Sequence, residues 1–564
     1  MFAGLLPLLV IGGIVYLIVK ASGARRDEAS ESPGIVIRRM FQYAVMLVAL
    51  GLSAFGVIGI LEVILEDVGG LTRDTGTLAR SVAFLIVGLP VLVGLAVFTR
   101  RRLRSDPTEG RSFGWAFYLT IALIGSLIGV VSEASRLLSN ALTGDGLLGI
   151  ALVGLVTWGA VWVGHRLIAD RHGDASRMWG ERILGSFVGL SVGLASGSIA
   201  LAMVMTRIYD AAVDLTADGR SWDDLAPSLS TFVVAAGVWA WYWLASARRD
   251  ERRTLWTAYV LLAGVLSGVV MTVAGTGTAV FFGFEWLFRS PAESAASYFE
   301  GVPAALAVVV VGALSWTHHH MVLGKRAMGD RCEIDRIYDH TLSAVGLSVT
   351  AGGIATLIAY GIRALAGVEI AGSDGTVIAV AATLLLVGMP LWWHHWARLQ
   401  RERRTDPSTF SQSPSRRIYL PVVVGVSGLT AMISLTVFVY ALVEGLLDGS
   451  AGASIVDEVS IPLAIVAAAA AVAWYHTRAL IADRGVARPV ERHALREVLL
   501  VSENGETLAS AISDAHFRVR RLHAAGPPTS PGSISEVIEA LEAESHERVM
   551  LVADGERYEV VPLR

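Results

Sequence analysis

The chain has 564 residues, of which 54% are hydrophobic and 17% charged, with a formal net charge of -4 and a mean hydropathy of +0.57. A soluble core of that composition is hard to keep in water, and no nucleic acid is expected as a partner. The single cysteine, Cys332, excludes an intramolecular disulfide and any cysteine-based zinc or iron–sulfur site.

About thirteen apolar stretches run near residues 3–20, 40–62, 80–98, 113–138, 147–165, 183–206, 229–246, 255–280, 303–321, 341–362, 376–396, 418–443 and 459–476. Each is roughly 18 to 25 residues long, and an α-helix needs roughly 20 to cross about 30 Å of hydrocarbon. The 58 glycines suit helices that approach one another closely in lipid.

Every second gap is rich in arginine. The basic gaps hold Lys20, Arg25, Arg26, Arg38 and Arg39; then Arg100, Arg101, Arg102, Arg104 and Arg111; then Arg166, Arg171, Arg177 and Arg182. The later ones hold Arg248, Arg249, Arg252 and Arg253; then Lys325, Arg326, Arg331 and Arg336; then Arg398, Arg401, Arg403, Arg404, Arg416 and Arg417. That is twenty-eight basic residues against about seven in the opposite gaps, which carry acids such as Glu66, Asp67, Asp214, Asp218, Glu293 and Glu300. Short loops rich in Lys and Arg stay in the cytoplasm, so the pattern predicts basic gaps inside, the amino terminus outside and the carboxyl terminus cytoplasmic. The first stretch has its positive charges after it and none before, the order of a retained anchor rather than a cleaved signal.

An internal repeat of about 70 to 80 residues underlies the spans. Incoming stretches end on related strings: GLVTWGAVWVGHR from Gly154, GVWAWYWLASARR from Gly237, GALSWTHHHMVLGKR from Gly312 and GMPLWWHHWARLQR from Gly388. Trp158, Trp241, Trp316 and Trp392 each follow that glycine by four positions, and Trp474 fits the same slot. Outgoing stretches start on arginine and an aromatic, as in RRMFQYAVMLVALGLSAFG from Arg38, RRTLWTAYVLLAGVLSG from Arg252, RIYDHTLSAVGLSVTAGG from Arg336 and RRIYLPVVVGVSGLTAM from Arg416. Of the two phasings, the one with the basic turn in the middle of each unit matches the residues better.

The outgoing pattern, arginine then tyrosine then a Gly-Leu pair, is seen in Tyr43 with Gly51 and Leu52 and in Tyr338 with Gly346 and Leu347. It resembles a bacterial multi-pass membrane family built from repeated helix pairs and catalogued only as a domain of unknown function. The resemblance covers nearly all of residues 38–480. It implies the repeat architecture and brings no reaction or substrate.

Ionisable residues inside spans are costly and so are functional candidates. Glu62, Glu133, Arg136, Arg207 and Glu285 qualify, and all fall near the outer ends of their stretches. The central turns hold only Ser, Thr and Gly, among them Ser196, Ser198, Thr272, Thr276, Thr278, Ser348, Thr350 and Ser427. Hydroxyls bonded to backbone explain these.

Histidines recur at one repeat position: His318, His319 and His320, then His394 and His395, then His476, with His165 in an earlier unit. Imidazoles from neighbouring helices can chelate a metal or hold a haem iron, which makes His318, His319, His394, His395 and His476 the candidate cofactor-binding residues. Histidine and tryptophan beside arginine are also the ordinary interfacial belt. The belt is preferred, no carboxylate recurs beside the histidines to complete a metal site, and no cofactor or metal is expected. No phosphate-binding glycine loop, HExxH or nucleophile elbow is present, so no catalytic residue is assigned.

Residues 485–564 change character, with nine basic and thirteen acidic residues. REVLLVS reads as a strand, ETLASAISDA as a helix and HFRVRRL as a strand; Ser533 and Glu536 cap a helix, and VMLVADGERYEVVPL is a hairpin turning at Asp554 and Gly555. The expected tail is βαβαββ, after a linker that begins at Gly485.

The sequence therefore predicts an all-α polytopic membrane protein of about thirteen transmembrane helices in same-orientation hairpin repeats, with a small C-terminal α+β cytoplasmic domain. Its divisions are an anchor and basic loop over 1–37, repeated hairpins over 38–484 and the tail over 485–564. The expected location is the bacterial plasma membrane, and the expected partners are the bilayer, anionic lipids at the basic loops and a protein at the tail. Two functions stay open: a scaffold or sensor acting through the tail, which is preferred, and a permease or channel for an uncharged or lipidic solute.

Overall fold

The computed structural model describes residues 33–68, 75–106, 108–144, 148–172, 179–213, 222–249, 254–289, 291–324, 333–368, 374–448 and 452–486 of the helical part, and six segments of the tail between 497 and 563. The expected span at 3–20 lies outside these residues. So do Arg177, Arg252, Arg253, Lys325, Arg326 and Arg331 of the basic gaps.

Among the described residues, twelve helices are long and apolar enough to cross a membrane, and the chain is a multi-pass membrane protein. Helices are the natural form for such stretches because a single helix satisfies its own backbone N–H and C=O groups where no water can. We label them α1 (Pro33–Val68), α2 (Thr75–Ser105), α3 (Phe113–Thr143), α4 (Leu148–His172), α5 (Trp179–Ala212) and α6 (Leu225–Leu244). The remainder are α7 (Leu255–Arg289), α8 (Val302–Leu323), α9 (Glu333–Leu365), α10 (Asp374–Thr405), α11 (Pro414–Leu447) and α12 (Ala453–Val486). Local signals set their ends. Ser112 caps α3 by accepting from the Trp115 N–H at 3.2 Å, and Gly144 ends it in the left-handed region at φ 76°.

By contact the chain divides into two compact units, Met1–Arg401 with Val422–Trp474, and Glu402–Pro421 with Tyr475–Arg564. In the first unit, glycines show which helices form hairpins. A Cβ on Gly268 of α7 would lie 2.7 Å from the Gly312 carbonyl oxygen of α8, and one on Gly312 would lie 2.8 Å from that of Gly268. Gly88 does the same for α2 on α1, Gly197 for α5 on α6 and Gly388 for α10 on α9. The intimate pairs are thus α1–α2, α3–α4, α5–α6, α7–α8 and α9–α10, each joined across a gap on the side opposite the arginine-rich ends. This corrects the phasing preferred from the sequence: the packing unit turns at the sparsely basic gap. Related strings flank both kinds of gap, so string similarity does not choose between them, whereas glycine crossings do.

The main core of this unit joins Ile183 and Leu190 of α5, Trp243 beside α6, Tyr259, Val265 and Val269 of α7, Leu323 of α8 and Leu342 of α9. A second core joins Tyr43 and Met46 of α1, Tyr118, Leu119 and Leu123 of α3 and Ala169 of α4. Helices α2 and α11 are the least covered, with 11% of the apolar window of each buried.

Two segments are wound more loosely than an α-helix. Ala240–Leu244, at the end of α6, and Tyr259–Leu266, within α7, are π-helical, the first closed by the Ala245 N–H on the Ala240 carbonyl at 3.0 Å. Glycine crossings also correct the tryptophan slot. A Cβ on Gly189 would meet the Trp239 nitrogen at 2.6 Å, as one on Gly268 would meet that of Trp316 at 2.6 Å, and Gly346 stands so against Trp392. Trp239, not Trp241, is therefore the counterpart of Trp316 and Trp392, and Trp241 points outward, 66% exposed.

In the second unit, β1 (Glu497–Val501), α13 (Glu506–Asp514), β2 (Arg518–Leu522), α14 (Ile534–Glu542), β3 (Arg548–Asp554) and β4 (Arg557–Pro562) follow in the order expected of the tail. The sheet order is β2-β1-β3-β4, parallel except for the β3–β4 hairpin. Val498, Leu500, Val549 and Leu551 alternate onto one face and bury against Leu508, Ile512, Val537 and Leu541. Ser533 of the expected capping box and Gly555 of the expected turn lie outside the described residues, as does the linker after Val486; Gly485 and Val486 still belong to α12.

Candidate functional site: histidine–tyrosine pairs and buried acids

The predicted histidines sit in separate hairpins, where a tyrosine of the outgoing helix faces a histidine of the incoming one. In α3–α4, Tyr118 Oη and His165 Nε2 are 2.8 Å apart, and His165 Nδ1 is 2.8 Å from the Val161 carbonyl. A carbonyl only accepts, so Nδ1 carries the proton, Nε2 accepts, and Tyr118 donates. In α7–α8, His319 Nδ1 likewise donates to the Ser315 carbonyl at 2.8 Å, while Tyr259 stands 5.6 Å away, centroid to centroid. In α9–α10, Tyr338 packs at 5.6 Å on His395, and in the second unit Tyr419 packs at 6.0 Å on His476.

His319 differs from His165. It is fully buried, its ring faces Trp239, Trp243, Tyr259 and His318, and its Nε2 has no hydrogen-bond partner. Tyr259 is already engaged, accepting from Trp239 Nε1 at 2.9 Å, and His318 Nε2 accepts from Trp243 Nε1 at 3.0 Å. Gly264, inside the π-helical segment, leaves the room that the His319 ring fills, and its carbonyl accepts from Ser315 Oγ at 3.1 Å. Both π-helical segments thus border one aromatic cluster, a placement typical of functional bulges.

The candidate histidines and tryptophans divide by exposure. Trp241, Trp393 and Trp474 are 60% exposed or more, and His394 is exposed. His165, His319, His395 and His476 are buried, and Trp239 and Trp316 bond tyrosines of the next helix, Trp316 donating to Tyr338 at 3.1 Å. Among the described residues no three His, Cys, Asp or Glu side chains converge as a metal cage.

A carboxylate stands beside one of the histidines. His395 Nδ1 donates to Asp339 Oδ1 at 2.7 Å, and Arg398 Nη1 lies 3.5 Å from the same oxygen. Asp339 is fully buried. With Glu109, Glu181 and Asp483 it is among the buried acids that take up guanidinium groups at the arginine-rich ends, all missed in the sequence because each sits inside a basic string: DPTEGR, WGER, RIYDH and IADR.

Glu109 has no exposed surface and accepts from Arg38 Nη2 at 2.9 Å, Arg39 Nε at 3.0 Å and Tyr43 Oη at 2.7 Å. Burial alone pushes its carboxyl up, but the bonds from Tyr43, Arg39 and Arg38 outweigh it and hold the pKa below its ordinary value. Asp106, three residues before it, is also held low, chiefly by bonds from the Thr108 hydroxyl and N–H. Glu181 of α5 accepts from Tyr242 Oη at 2.9 Å and Arg166 Nη1 at 3.0 Å. In the second unit Asp483 takes Arg416 Nε at 2.5 Å and Arg403 Nε at 3.0 Å. Charge-assisted bonds of this kind are short and directional, and they tie the starts of outgoing helices to neighbouring segments.

The ends opposite the arginine-rich ones carry smaller networks. Glu133 pairs with Arg136 at 2.9 Å, and Glu285 accepts from Tyr298 at 2.7 Å and Thr376 at 2.9 Å.

The family model of DUF5671, a domain of unknown function, matches residues 39–153 and 336–471, in keeping with the resemblance read from Tyr43 and Tyr338. Both matched segments open on an arginine in the first two turns of a helix, Arg39 in α1 and Arg336 in α9. The π-helical segments and His319 fall between them. No curated protein and no solved structure matches the chain.

Proposed function

We propose that this multi-pass protein is a scaffold or sensor in a bacterial plasma membrane, acting through its C-terminal α+β domain, with the arginine-rich ends and that domain on the cytoplasmic side. The observation that carries this reading is where the polar groups of the spans are used. Ser196, Ser198, Thr272, Thr278, Ser348, Thr350 and Ser427 each donate to the carbonyl four residues back in their own helix. A hydroxyl so engaged is turned from any solute passing between helices. The charged groups are at the helix ends, where they fasten helix to helix instead of forming the intramembrane carboxylates a coupled transporter uses. The tail has its own core, a partly open sheet face and strand edges suited to a protein partner.

One observation favours the permease as a second reading. The π-helical turn of α7 at Gly264 loosens a span at its glycine-rich part, and Ser230 and Thr383 have buried hydroxyls without a partner. Uptake assays in liposomes containing the protein alone separate the two. The scaffold reading expects proton and uncharged-solute fluxes equal to those of empty vesicles; a flux abolished by Gly264→Val would replace it with the permease.

A further inference from the structure

The arginine-rich ends are not alike. At four of them a buried carboxylate takes up guanidinium groups: Glu109 for Arg38 and Arg39, Glu181 for Arg166, Asp339 for Arg398, and Asp483 for Arg403 and Arg416. The RRRLR run that closes α2 has no such acid. Arg100, Arg101, Arg102 and Arg104 are all exposed and form no salt bridge among the described residues. Arg102 lies 5.4 Å over the Phe98 ring, and the nearby Asp106 is engaged by Thr108 and, at 3.9 Å, by Arg39.

The helix that carries this run is among the least covered in the molecule. Ile86 is 69% exposed, Val87 59%, Val93 52% and Val97 46%, so an apolar strip leads straight to the four cations. Four guanidinium groups within five residues at the end of a helix repel one another, and the C-terminal carbonyl dipole offsets only part of that. What matches both parts is one amphiphile: acyl chains along the strip and an anionic phosphate among the arginines, which present fixed donors to phosphate oxygens.

We propose that the RRRLR end of α2 is a binding site for an anionic phospholipid, held by Arg100, Arg101, Arg102 and Arg104 with its chains along α2. The proposal narrows the general expectation of lipid at the basic gaps to an end whose four clustered arginines form no salt bridge among the described residues. It does not depend on the choice between scaffold and permease, nor on which way the protein faces, because binding is measurable in detergent.

The test is native mass spectrometry of the full chain in detergent, titrated with phosphatidylglycerol or with phosphatidylcholine. Phosphatidylglycerol binds more tightly, and each arginine changed to glutamine weakens it by about fivefold. R100Q/R101Q/R102Q/R104Q abolishes the preference, whereas the four corresponding lysine substitutions keep most of it. Removing as many exposed charges elsewhere, in R171Q/R248Q/R404Q/R417Q, leaves it intact. Equal binding of the two lipids, or equal loss in both glutamine variants, overturns the proposal. Should the first glutamine variant not fold, photoactivatable phosphatidylglycerol on the wild-type chain decides: labelling of residues 86–105 supports the site, and labelling spread over all basic ends refutes it.

Discussion

Removing the Glu109 carboxylate tests whether the arginine-rich ends are held by buried acids. In Glu109→Ala, Arg39, whose side chain is 4% exposed, loses its nearest carboxylate and keeps Thr108 Oγ1 at 3.2 Å and the more distant Asp106 at 3.9 Å, and the Tyr43 hydroxyl, in a side chain only 1% exposed, loses its acceptor. Stranding a buried charge costs about 3–5 kcal/mol. Arg38 is 31% exposed and is re-solvated by water, so its share is discounted and the expected loss is about 3 kcal/mol. Glu109→Gln keeps an acceptor for Tyr43 and is expected to cost about 1–2 kcal/mol. Reversible unfolding in mixed micelles, monitored by near-UV circular dichroism, reads both, and a double-mutant cycle with Arg39→Met isolates the pair. The pH dependence has a fixed sign. Because the folded carboxyl titrates below its ordinary value of 4.5, its contribution is complete above that value and is lost as the pH falls through the lower, folded one. A Glu109→Ala protein within about 0.5 kcal/mol of wild type, or an acid loss of stability identical in the two, would refute the reasoning.

Other consequences follow from single contacts. Tyr118→Phe leaves His165 Nε2 without its donor in a buried site, so a loss of about 1–3 kcal/mol is expected in the same unfolding assay. Gly264→Ala drives a methyl into the His319 ring and is expected to cost about 1–3 kcal/mol, with a change in the near-UV signal of Trp239 and Trp243; an unperturbed spectrum would argue against the cluster. The purified protein is expected to carry no stoichiometric haem or transition metal, and a Soret band lost in His394→Ala or one metal per chain would contradict this. Residues 490–564 expressed alone should give dispersed amide resonances, since their apolar core is internal; a collapsed spectrum would speak against an independent domain.

Much of the architecture is legible in the sequence because bilayer thickness and backbone hydrogen bonding leave few choices. Twelve of the expected spans coincide with α1 to α12, and the strand and helix order of the tail follows from its alternation and turn residues. What was misread depends on contacts between segments far apart. Hairpin phase is hidden because every helix has two chain neighbours and the strings recur at both ends; Gly268 against Gly312 settles it in space. Hydropathy does not tell which of two nearby tryptophans faces a neighbouring helix, so counting from Gly237 lands on Trp241 when the inward ring is Trp239. The buried acids resemble loop residues because their partners, Tyr43, Tyr242 and His395, lie more than fifty positions away. A signal was present: Tyr338 and His395 are 57 positions apart, and so are Tyr419 and His476.

Membrane topology tests the account most directly, since the placing of the arginine-rich ends and of the tail rests on it. A reporter active only in the cytoplasm, fused after Arg564, and one active only after export, inserted at Pro291 between α7 and α8, should both be active, with the converse fusions silent. Export of the C-terminal reporter, or activity of both reporters on one side of the membrane, would contradict it.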